Sequence, residues 1–267
     1  MTSTDPAPAA PRAGALGQRD RWVILLALIA VTTLAWLYLL AVRRDMPDSP
    51  MDMADMAMPM TAAWTPTAFA LTLAMWWVMM IGMMAPSAAP MVLTFATLNR
   101  GKRARGQGVV PTSVFLLGYL AAWGAFSVVA TMTQWALDSG ALLSPALAAT
   151  SSLLGGTLVI AAGLYQFTPL KQACLRNCRS PFAFVLNHWR EGWTGALRMG
   201  VEHGAFCLGC CWMLMTLLFV AGAMNLLWVA GIAVFVFAEK LLPGGLGLGR
   251  VAGVVMLGLG VFLLIRG

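Results

Sequence analysis

Long apolar runs separated by short polar intervals dominate the chain from residue 22 onward, covering 22–42, 67–98, 110–136, 144–167, 194–221, 225–237 and 246–265. A helix rises about 1.5 Å per residue, so about 20 apolar residues cross a hydrocarbon core of about 30 Å. Inside lipid every backbone N–H and C=O must be satisfied within the protein, which selects helices. The pattern predicts an all-α fold, a polytopic membrane helix bundle with about seven transmembrane helices. The second run holds Pro86 and Pro90, which predicts a kinked span or one that continues along the membrane surface. The sixth run is short, and its ends could extend to 224 and 241.

Composition supports the membrane assignment, with 60% hydrophobic and only 10% charged residues; an ordinary soluble domain has about 25% charged. The formal charge of +7 raises the question of nucleic acid, but the positions of the charges follow topology instead. Fourteen of the 17 Lys and Arg fall on one side of the predicted spans: Arg12, Arg19 and Arg21; Arg100, Lys102, Arg103 and Arg105; Lys171, Arg176, Arg179, Arg190 and Arg198; Lys240 and Arg250. The positive-inside rule makes that side cytoplasmic. The N-terminus is then inside and the C-terminus outside, in a multi-pass protein of a bacterial inner membrane whose partner is the lipid bilayer and not nucleic acid. Residues 1–20 read as a disordered cytoplasmic tail rich in Pro and Ala. They lack the layout of a cleaved signal, so the first run reads as a retained anchor. Residues 21–65 comprise the first span and a Met-rich outer loop, and residues 66–267 a six-span metal-binding domain.

The densest chemistry lies in M-G-V-E-H-G-A-F-C-L-G-C-C-W-M-L-M, residues 199–215. At 100° per residue, Met199, His203, Cys207 and Cys210 fall within about 40° of one line on a helix, with Cys211 about 80° round and Glu202 on the other side. Sulfur and imidazole on one face suit a soft metal, while Glu202 is the carboxylate nearest to them in sequence. The stretch T-P-L-K-Q-A-C-L-R-N-C-R-S-P places Cys174 and Cys178 four residues apart, so a short helix would put both thiols on one face among Lys171, Arg176 and Arg179. Nearby cations favour thiolate, and two thiolates can hold Cu(I) where Zn would want two more ligands, such as His188 or a second chain.

Methionine extends the pattern. Met75, Met79 and Met83 form one helical stripe, and Met80 with Met84 a second beside it. Such stripes line a soft-metal path or fill a helix interface, and both readings are open. Between residues 45 and 60, six methionines (Met46, Met51, Met53, Met56, Met58, Met60) sit among four aspartates and three prolines. Thioethers bind Cu(I) and persist where thiols are oxidised, so this outer loop reads as a copper collector. The third and fourth spans read as scaffold, with glycines Gly155, Gly156 and Gly163 allowing close helix approach; Gly249, Gly253 and Gly260 do the same in the last span. Glu239 and Lys240 read as interfacial anchors, Glu239 pairing with a basic loop residue.

These motifs, M-W-W-V-M-M-I-G-M-M-A-P-S, Y-Q-F-T-P-L-K-Q-A-C-L-R-N-C-R-S-P, H-G-A-F-C-L-G-C-C-W-M-L-M and A-E-K, together resemble a prokaryotic family of predicted metal-binding integral membrane proteins of unknown function. The resemblance spans residues 67–265 and implies metal binding at His203, Cys207, Cys210 and Cys211, without naming a substrate. Copper as Cu(I) is the expected metal and zinc the alternative. Transport or homeostasis is the leading expectation, with a periplasmic or cytoplasmic metal chaperone as the protein partner. No P-loop or phosphorylatable aspartate motif is present, so this chain alone is not expected to be a primary pump, and Glu202 is the carboxylate available for proton coupling. The alternatives are a membrane metalloenzyme or thiol-redox protein, and an accessory subunit that delivers metal to a membrane complex.

Overall fold

The computed structural model describes residues 16–44, 64–106, 108–144, 147 and 149–266. Helix α1 spans Gln18–Arg44, α2 Pro66–Ala104, α3 Thr112–Ser139, α4 Ser152–Tyr165, α5 Pro169–Arg179 and α6 Pro181–His188. Helix α7 spans Gly192–Thr216 and continues after a break as a single turn, Leu218–Ala221; α8 spans Leu226–Leu241 and α9 Gly245–Arg266. Among the described residues β pairing is limited to an isolated bridge between Leu143 and Ala149. The fold is all-helical. The Met-rich segment at 45–60 and most of the N-terminal tail lie outside the described residues.

Helix starts follow local chemistry. Thr65 caps α2 by accepting the Ala68 N–H at 3.1 Å, with Pro66 in the first turn where its missing N–H costs nothing. Thr168 caps α5 in the same way, followed by Pro169, and Asn225 caps α8 through the Trp228 N–H at 3.2 Å. The Trp228 indole N–H also donates to the Leu217 carbonyl at 2.9 Å, satisfying a backbone group at the break in α7.

Among the described residues five helices are long and apolar enough to cross a membrane, and six if α4 and α5 form one span broken by a 64° bend. In the fourth apolar run the described helix, α4, starts at Ser152 and has 14 residues and a length of about 21 Å. Thr168 and Pro169 then start a new helix in another direction. The sixth run becomes the 16-residue α8. The second run forms one 39-residue helix that passes through both Pro86 and Pro90 and ends in a basic last turn. It is about 58 Å long, well beyond a hydrocarbon core.

Helices α3 and α7 pack backbone against backbone through glycines. A side chain at Gly118 would strike the Leu197 carbonyl, one at Gly200 the Phe115 carbonyl, and one at Gly204 would come within 2.5 Å of Ala122 Cβ. Helices α4 and α9 meet through Gly156, Gly163, Gly253 and Gly260, where an added Cβ would lie 3.0 Å from the Gly253 carbonyl at Gly163 and 2.9 Å from the Gly156 carbonyl at Gly260. Small residues permit this because in lipid the attraction between helices is van der Waals packing. Gly155 is less crowded, with Val220 at 3.7 Å. Indole donors fasten α2 and the residues just before it to α3: the buried Trp76 to Gln134 Oε1 at 2.7 Å and the part-buried Trp64 to Asp138 Oδ2 at 2.9 Å. At the basic end of α2, Lys102 lies 4.5 Å over the Trp189 ring and pairs with Glu191. That ammonium holds the Glu191 carboxyl below the usual carboxylate range.

Helices α1 and α9 present large apolar side chains outward, among them Leu26, Leu34, Val254 and Ile265. The core lies instead between α2, α3, α7 and α8. Gly118→Val is expected to cost at least about 2 kcal/mol by forcing α3 from α7, whereas Gly258→Ala, with nothing within 4 Å of the new methyl, should leave stability unchanged. Thermal unfolding of both variants in detergent compares them directly.

Candidate metal centre

Helix α7 turns His203, Cys207, Cys210 and Cys211 into the core, with each side chain at most 3% exposed. Cys207 is the junction. Its Sγ receives a hydrogen bond from Lys240 Nζ on α8 at 2.9 Å and lies 3.2 Å from the Tyr119 hydroxyl on α3. Tyr119 also donates to the Met84 carbonyl of α2 at 3.2 Å, and Ser87 Oγ donates to the same carbonyl at 2.9 Å. Lys240 closes the circuit by donating to Ser87 Oγ at 3.1 Å. Four helices therefore meet at one sulfur. The Cys207 carbonyl accepts the thiols of Cys210 at 3.0 Å and Cys211 at 2.9 Å.

The other two cysteines arrive from α5. The Cys178 thiol interacts with those of Cys207 and Cys210, and Cys211 interacts with the same two. Cys174 is buried against α7 at Gly209, where an added Cβ would stand 2.5 Å from its Sγ. The residues read from sequence as a cytoplasmic loop thus fold back as a bent helix pair, and their thiols join the α7 cluster. All five cysteines are free.

His203 is enclosed by Phe115, Tyr119 and Phe184, with ring centroids 6.1, 5.6 and 5.3 Å away. Its Nδ1 is buried without a hydrogen-bond partner, which is uncommon for a polar atom out of contact with water. Met75, Met79, Met80, Met83 and Met84 are all buried in the same apolar core as Cys207 and Cys210. Both methionine stripes are therefore packed into the core.

Two sequence candidates point elsewhere. Glu202 is held at 3.1 Å by Arg190 and Arg198 on the far side of α7, so it stands apart from the thiols. Met199 is buried, but its Sδ accepts the Arg190 backbone N–H at 3.4 Å, at the start of the helix. Among the described residues, no group of three or more His, Cys, Asp or Glu is arranged as a cage for an ion. The thiols of α5 and α7 thus lie near one another without forming the closed four-ligand set that a zinc site would use.

Lys240, Tyr119 and Ser87 were not legible as site residues. Lys240 is buried and bonded to Cys207, so it is not an interfacial anchor. The signal was its adjacency to Glu239 at the end of an apolar run, since two ionisable residues there need partners. Glu239 does pair with a basic residue of the α4–α6 region: Lys171 Nζ lies 2.7 Å from one carboxylate oxygen and 2.8 Å from the other, with both side chains 2% exposed. Arg179 caps the end of α8 through the carbonyls of Glu239 and Leu242 at 2.7 Å each. Removing one partner of the buried pair, as in Glu239→Gln or Lys171→Met, is expected to cost about 3–5 kcal/mol, whereas the double variant Lys171→Met/Glu239→Met loses much less. A double-mutant cycle by denaturant unfolding measures the difference.

The family described as PpoB2, copper chaperone, matches residues 73–263, a stretch that begins at the methionine stripes and runs through α9. No curated protein and no solved structure matches the chain. The metal-related character expected from the sulfur-rich motifs agrees with that description, and with well over half of its length matched the chain belongs to the PpoB2 copper chaperone family.

Proposed function

We propose that this chain is a seven-span protein of a bacterial inner membrane that takes Cu(I) onto buried thiolates and hands it to a protein partner. Cys207 and Cys178 are the proposed ligands, with Cys210, Cys174, Cys211 and His203 around them and the α2 methionines Met75, Met79, Met80, Met83 and Met84 leading toward them. The observation that carries the reading is the meeting of thiols from α5 and α7 beside Lys240. A copper chaperone needs a ligand set that excludes hard ions and still releases its cargo, and two or three sulfurs do both.

Handover is favoured over proton-coupled transport because Glu202, the carboxylate that would have served such coupling, is tied to two arginines instead. The seven-span topology adds the bent pair α4–α5 and the 16-residue α8 to the five long helices. It also keeps the basic loops on the cytoplasmic side.

Wild type loaded with Cu(I) under reducing conditions should retain copper through gel filtration, and Cys207→Ser/Cys210→Ser/Cys211→Ser should lose it, as read by elemental analysis. Equal, negligible copper on both would remove the metal reading in favour of a scaffold. For topology, alkaline phosphatase fused after residue 267 is expected to be active because that enzyme matures only outside the cytoplasm; an inactive fusion, with activity from one inserted near residue 190, reverses the orientation.

A further inference from the structure

Lys240 is a buried ammonium whose neighbour Glu239 is already matched by Lys171. Its own contacts are Cys207 Sγ at 2.9 Å and Ser87 Oγ at 3.1 Å. A charge in a low-dielectric interior is tolerated only when it is paired, and the Cys207 sulfur, 2.9 Å from the ammonium, is the group placed to pair with Lys240. Ser87 and Tyr119 complete the shell of neutral hydrogen-bonding groups around the pair.

We propose that Lys240 makes the thiol site selective for monovalent soft cations by balancing the charge of a bis-thiolate complex. The inference rests on the copper reading above and adds what sets the specificity. A monovalent ion held by two thiolates carries one net negative charge, and the Lys240 ammonium cancels it. A divalent ion on the same two thiolates makes a neutral complex and leaves the Lys240 ammonium itself as the uncompensated buried charge. A third thiolate would restore neutrality for the divalent ion, but among the described residues no group of three or more His, Cys, Asp or Glu is arranged to hold one ion. Lys240 is thus a positioned counter-ion rather than a ligand. It occupies the cation's place beside Cys207 when the site is empty and neutralises the complex when it is full.

The test uses the full chain in detergent under reducing conditions, with Cu(I) measured by chelator competition and Zn(II) by equilibrium dialysis. Lys240→Gln is expected to weaken Cu(I) by on the order of a hundredfold or more, as follows from unpairing a buried charge. Zn(II) binding should hold or strengthen in the same variant, and Lys240→Arg should keep the wild-type preference. Copper bound by wild type with an unchanged Cu(I) to Zn(II) ratio in Lys240→Gln overturns the charge-balance inference and leaves the copper reading standing. No copper on wild type overturns the copper reading itself. If Lys240→Gln does not give monodisperse protein, wild type decides alone. Ag(I) should then displace Zn(II) completely and X-ray absorption of the Cu(I) form should show two sulfur neighbours, whereas three or more sulfurs overturn the inference.

Discussion

The contact between the Lys240 ammonium and the Cys207 sulfur sets the terms for everything around it. A lone charge or a lone thiolate at that depth would each be destabilising. Each is tolerated because the other is within hydrogen-bonding distance. The supporting cast is organised to keep them there. Arg179 fixes the last carbonyls of α8, Lys171 occupies Glu239, and Ser87 with Tyr119 ties the pair to α2 and α3. The end of α8 is thereby held from three directions.

Close helix approach makes this possible. Tyr119 reaches Cys207 because α3 and α7 touch at Gly118, Gly200 and Gly204, without side chains to hold them apart. The same device, used once more at Gly209, leaves room on α7 for the sulfur of Cys174. Packing and chemistry are therefore not separable in this molecule. The glycines that bring backbones together are also what lets sulfur from two helices share one location.

Much of the architecture could be read from the sequence. Apolar runs gave the long helices, and the 3.6-residue period placed His203, Cys207, Cys210 and Cys211 on one buried face with Glu202 opposite, where it is found with Arg190 and Arg198. Pattern alone could not locate the start of α4, because the apolar run begins at residue 144 whereas the helix begins at Ser152. Nor could it place Cys174 and Cys178 beside Cys207, since the bend after Tyr165 folds an apparently hydrophilic loop back onto the bundle. The Lys240 and Tyr119 contacts join residues 33 and 88 positions apart from Cys207, and helical periodicity carries no information about such pairs.

Tyr119 has one hydroxyl hydrogen and two acceptors within 3.2 Å, the Met84 carbonyl and the Cys207 sulfur. A thiol at Cys207 can donate to the phenol oxygen, freeing the tyrosine hydrogen for Met84. A thiolate can only accept, and draws that hydrogen to itself, leaving Ser87 as the side-chain donor to the Met84 carbonyl. The direction in which a single hydroxyl points is thus a one-bit record of the state of the sulfur, written onto the backbone of the helix that carries the methionine stripes.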